Sequence, residues 1–114
     1  MILQRMKKVD ESAYIRAERY YAILSVINDI QLTKRELQLV AFTAIKGNIS
    51  YTNYRKEFSS LYDSSSPTIN NMISKLKKNN VLVKDNNKIK VNPLIQLDFE
   101  KALQLEIKLF PKDV

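Results

Sequence analysis

Residues Ser64 to Asn80 constrain this chain more tightly than any other stretch. The run Asp63-Ser64-Ser65-Ser66-Pro67 supplies hydroxyls that accept helix N-terminal amides. It also supplies a proline suited to a first turn, where a missing N–H had no partner anyway. Ile69, Met72, Ile73 and Leu76 then follow the i, i+3, i+4, i+7 pattern of one apolar helix face. At about 100° per residue, the opposite face carries Pro67, Asn70, Asn71, Ser74, Lys75 and Lys78. Asn79-Asn80 predicts the stop, because asparagine tolerates left-handed backbone better than most residues. A helix divided so cleanly must rest on a core with its polar side outward.

Three further helices are expected before it. Glu11 to Ile30 reads as a long one, with Ala13, Ala17, Tyr20, Leu24 and Ile27 forming a seam. Tyr21, Ile23, Val26 and Ile30 make its second half apolar on more than one side. That half either packs across its own domain or contributes to a dimer interface. Thr33-Lys34-Arg35-Glu36 is a capping box that opens a second helix, with Leu32 and Leu37 placed as a hydrophobic staple. Its inner face is Leu37, Val40, Ala41 and Ala44, and Gly47 ends it. A third helix is predicted over Tyr51 to Leu61, capped by Ser50, with Tyr54, Phe58 and Leu61 inward.

After the fourth helix, Val81–Lys84 and Lys88–Val91 are β-prone runs joined by Asp85-Asn86-Asn87, a small hairpin that Pro93 ends. Residues 98–105 could form a helical turn or two. Leu103, Leu105, Ile107 and Leu109 alternate with Gln104, Glu106 and Lys108, which favours a strand at 103–110. A lone strand needs a partner. Residues 2–8, the hairpin edge or a second subunit could supply it.

The fold class expected is therefore mainly α with a small β-hairpin (α+β). Residues 1–31 form an N-terminal extension and helix, 32–92 the central domain, and 93–114 a C-terminal extension with a strand. Between Leu32 and Asn92 the chain resembles the winged helix-turn-helix superfamily, in a MarR-like arrangement and in the manner of phage and plasmid DNA-binding proteins. Ser64 to Val83 carries most of the likeness. Small polar residues open the helix, Ile73 and Leu76 take the apolar places, Lys77-Lys78 is the basic pair, and Asn80 stands where a glycine is usual. The resemblance implies that this is a recognition helix and that the hairpin is a wing.

Composition decides which functions deserve weight. There is no cysteine and no histidine, which removes the commonest metal ligands and general base, and every Ser-His or Cys-His nucleophile. Gly47 is the only glycine, so no glycine-rich phosphate loop exists. An enzyme is not expected, and neither is a cofactor, a metal or a catalytic residue. No apolar run reaches the length needed to cross a bilayer, and residues 1–9 lack the pattern of a secretory signal, so a cytoplasmic protein is expected. Richness in Asn, Lys and Ile suits an AT-rich bacterial or phage genome.

The formal charge is +7. Between Lys46 and Asn92 nine Lys or Arg face three acids, a net of +6, while the remaining residues hold ten bases and nine acids. The surplus thus falls on the half that resembles a nucleic-acid binder. The expected partner is double-stranded DNA. Ser65, Ser66 and Thr68 would meet it at the helix N-terminus, Asn70 and Asn71 would match adenine in the major groove, and Ser74 shares their exposed face as a further DNA contact. Lys75 and Lys78 would reach its phosphates, and the hairpin lysines Lys84, Lys88 and Lys90 would follow the backbone or a minor groove. The fourth helix has no arginine, the commonest base reader, so its face suits phosphates better than a defined sequence. The alternative is a protein-interaction or assembly module, such as a phage structural or polymerase-associated component. A homodimer through the N-terminal helix or the C-terminal strand fits either function.

Overall fold

The capping box forms as the sequence predicts. Glu36 N donates to Thr33 Oγ1 at 3.1 Å, and Thr33 N donates to Glu36 Oε1 at 2.7 Å. It starts the second of four helices in a computed structural model that describes residues 12–108, 110 and 111. The helices are α1 (Ala13–Ile27), α2 (Lys34–Lys46), α3 (Thr52–Tyr62) and α4 (Ser66–Lys78). An antiparallel hairpin of β1 (Leu82–Asp85) and β2 (Lys88–Val91) follows, then a 3-10 turn at Pro93–Ile95. The protein is mainly helical with a small two-stranded sheet. Among the described residues no helix is long and apolar enough to cross a membrane.

With one glycine in the chain, aspartate and asparagine occupy the other left-handed positions among the described residues: Asp29, Asp63, Asn80, Asn86 and Asn87. These short polar side chains bear that conformation best. Asp29 and Asn80 each close a helix by a Schellman pattern. Ile30 N donates to Ser25 O at 2.8 Å, and Val81 N to Leu76 O at 3.0 Å. The early closure ends α1 at Ile27 rather than Ile30, and Glu11, its expected start, lies outside the described residues. Asn86 and Asn87 form a two-residue turn with φ of 51° and 64°, the geometry that matches strand twist. Asp85 therefore belongs to β1, paired with Lys88, and not to the loop.

α2 is the centre of the core. Leu39, Val40, Ala41, Phe42, Thr43 and Ala44 are all buried, so it is enclosed on more sides than its expected inner face. α1 packs on it through Ala13, Ala17 and Tyr21, where the two alanines allow close approach. The seam expected in α1 is thereby turned by one residue. Tyr21 and Ser25 are buried, Tyr20 and Leu24 are half-buried, and Ile27 is exposed. Tyr21 is drawn inward because its hydroxyl donates to Ile95 O at 2.8 Å.

Three further expectations are corrected. Ser50 does not cap α3: its hydroxyl accepts Ile89 N at 2.7 Å, and Asn48 Oδ1 takes the Ser50 and Tyr51 amides instead. Leu61 is 59% exposed, and Tyr62 takes its inward place, 4.8 Å from the Phe58 ring and beneath the Arg35 guanidinium. Described residues 102–108 and 110 form no strand, and only a short bend at 99–101 precedes them. The side of β2 away from β1 is met by Ile49, whose amide donates to Ile89 O at 2.8 Å. Residues 2–8 and Leu109 lie outside the described residues.

Candidate nucleic-acid interface

The residues singled out on α4 divide by what holds them. Ser65 is the N-cap: it accepts Thr68 N at 3.3 Å and lies 2.8 Å from Thr68 Oγ1. Both hydroxyls are thus already hydrogen-bonded within the helix start. Ile69, Met72, Ile73 and Leu76 are buried as expected, which fixes the rotation of the helix. Ser66, Pro67, Asn71, Ser74, Lys77 and Lys78 are exposed. Pro67, Asn71, Ser74 and Lys78 lie on one line along the outer side, opposite the core.

Asn70 and Lys75 sit on the flanks of that line and are engaged. Arg55 of α3 donates from Nε to Ile49 O at 2.9 Å and from Nη1 to Asn70 Oδ1 at 2.6 Å. The arginine missing from α4 is therefore supplied beside it by α3. Sequence reading passed over Arg55, though it is the only arginine between Lys46 and Asn92. Lys77, the exposed partner of Lys78, was also left out.

Lys75, expected as a phosphate ligand, is engaged within the fold. Its ammonium donates to Gln31 O and to Glu36 Oε1, both at 2.9 Å. Glu36 is buried. Burial by itself would raise its carboxyl pKa, but hydrogen bonds from Lys75 and the Thr33 amide outweigh that and hold it below the ordinary value. Lys75 is bound into the fold by this pair.

The hairpin lysines also separate. Lys90 is paired with Asp85 at 2.8 Å. Lys88 lies 5.3 Å over the Tyr51 ring, and a hydrogen bond with the Tyr51 hydroxyl raises its pKa. Lys84 is exposed with no ion pair among the described residues.

Charge on this half is sorted in the same way. Glu57 is paired with Lys46 at 3.1 Å and Asp85 with Lys90, so two of its three acids are neutralised by neighbouring lysines. Asp63 closes α3 in left-handed backbone. Arg55, Lys56, Lys77, Lys78, Lys84 and Lys88 remain outside any ion pair among the described residues. Such a surface can attract a polyanion, and short polar groups at its centre can hydrogen-bond to one. No family model, curated protein or solved structure matches this chain.

Proposed function

We propose that the chain is a DNA-binding winged helix-turn-helix protein, in which α4 enters the major groove and the hairpin serves as the wing. It would act as a transcriptional regulator or a replication-type accessory protein of bacterial or phage origin, in the cytoplasm. The order α2, α3, α4, hairpin supports the reading, as does Ile49 lying alongside β2 between α2 and α3. The observation that carries it is the set of six cations on α3, α4 and the hairpin that stay outside any ion pair among the described residues, while two of the three local acids are held by lysines. Ser66, Asn71, Ser74 and Lys78 are the contacts proposed on the helix, and Lys84 and Lys88 those on the hairpin. Binding of this kind leans on phosphates and releases counterions, so affinity for random duplex DNA falls steeply between low and moderate salt. A flat salt response, or no binding at low salt, rejects it.

The second reading is a protein-interaction module. Val26 and Leu94 favour it, being large apolar side chains that stand almost fully in solvent. A stable oligomer of fixed stoichiometry without duplex affinity would support that reading instead.

A further inference from the structure

The chain beyond the core carries a pattern that the domain does not use. Residues 102–108 make no backbone–backbone hydrogen bond among the described residues. Leu103 rests half-buried against the core, whereas Leu105 and Ile107 are 43% and 54% exposed. Glu106 and Lys108 bring Oε1 and Nζ to 3.8 Å on one side of this arm. An alternating segment with unpaired amides and carbonyls is suited to gaining a strand.

We propose that this arm pairs with the same arm of a second copy, antiparallel, with Ile107 facing Ile107 across a two-fold axis. The charges select that register. Centred on Ile107, Glu106 of each chain faces Lys108 of the other, giving two opposite-charge pairs. Moving the centre by one residue sets Glu106 against Glu106 or Lys108 against Lys108, and like charges directly opposite are destabilising. Centring the axis between residues sets the polar row of one chain against the apolar row of the other. In the proposed register Leu103, Leu105 and Ile107 of both chains share one face of the ribbon. Leu103 already lies on the core, so that face is the one directed at the domain. Both chains use the same surface, which closes the assembly at two copies. The proposal stands whether or not α4 binds DNA.

Sedimentation of the full chain and its charge variants, without nucleic acid, tests it. The wild-type chain should form dimers. Glu106→Lys and Lys108→Glu should each weaken self-association by about tenfold or more, because each sets like charges opposite one another. An equimolar mixture of the two variants should associate, since every facing pair is then opposite in sign. The double variant E106K/K108E should return to wild-type behaviour. Circular dichroism should show the same helix content throughout, as the substituted side chains are exposed. The chain has no cysteine, so the centre of the register can be read directly. Ile107→Cys should oxidise to a linked dimer faster than Leu105→Cys, because only facing positions come within disulfide range. A wild-type monomer at about 1 mM, charge variants that dimerise as well as wild type, a mixture that stays monomeric, or equal oxidation of the two cysteine variants would each overturn the proposal.

Discussion

Lys75 reaches from α4 to place its ammonium 2.9 Å from Glu36 Oε1, the same oxygen that accepts the Thr33 amide at 2.7 Å. One buried carboxylate thus completes the start of α2 and fastens α4 to it. The candidate recognition helix is thereby tied to a capping box more than thirty residues upstream.

Lys75→Ala should therefore read out in stability. It leaves Glu36 buried without its cation, a loss of about 1–3 kcal/mol by chemical denaturation, moderated because Lys75 is itself partly solvated. The salt dependence of DNA binding should not change, since this ammonium is already held by Glu36 and the Gln31 carbonyl. A reduced salt slope with unchanged stability would contradict the assignment.

The same pair gives a pH dependence of defined sign. The folded state lowers the Glu36 pKa below its ordinary value of 4.5. Its stabilising contribution is therefore fully present above that value and lost as pH falls through the lowered folded one. Glu36→Gln keeps a side-chain oxygen for Thr33 but has no charge to titrate. The stability gap between wild type and this variant should be constant near neutrality and close on acidification below about pH 4. Denaturation midpoints measured across that range check it.

On the proposed binding face, Lys78 and Lys84 are exposed and free of ion pairs among the described residues. The double variant Lys78→Ala/Lys84→Ala should bind duplex DNA about tenfold more weakly or worse, and its log K against log salt should flatten by about two units. Asn71→Ala removes a group able to read adenine but no charge, so it should leave that slope unchanged while reducing any sequence preference. Fluorescence anisotropy at several salt concentrations separates the two effects.

Gly47 ends α2 at φ 98°, and a Cβ added there meets nothing within 4 Å. Any cost of Gly47→Ala is then backbone strain alone, about 1–2 kcal/mol. Gly47→Asn should cost less, because asparagine tolerates left-handed backbone. Equal losses for the two variants, measured by thermal unfolding, would point to a packing role instead.

The parts of this fold that were legible in the sequence are those governed by local chemistry. The capping box at Thr33, the serine and proline opening of α4, its four buried apolar residues and the asparagine turn all depend on residues a few positions apart. Contacts between distant segments were not legible. Nothing near Lys75 in the chain reveals that Glu36 waits for it, and nothing near Asn70 reveals Arg55. The alternation that favours a strand at 103–110 is a local pattern, and such a pattern becomes a strand only where a neighbour offers hydrogen bonds. Ser50 was a sound cap by residue type, but the hairpin claimed its hydroxyl.

Phe99 is the largest omission of this kind, and it carries the last prediction. It sits in a stretch with no clean periodicity, so no sequence rule marked it as core. In the structure it is 2% exposed, with its ring 5.5 Å from Tyr21 and 5.7 Å from Tyr20, while its carbonyl accepts Arg16 Nε at 2.8 Å. Residues beyond the hairpin are thereby fastened to α1. Phe99→Ala empties that aromatic cluster and should cost about 3–5 kcal/mol, because neighbours held by α1 can relax only in part. Phe99→Leu, which refills most of the space, should recover a large share. Removing the chain from Phe99 onward should destabilise the helices as much as Phe99→Ala does, by far-UV circular dichroism on thermal unfolding. A truncated chain as stable as wild type would show that the core closes without this segment.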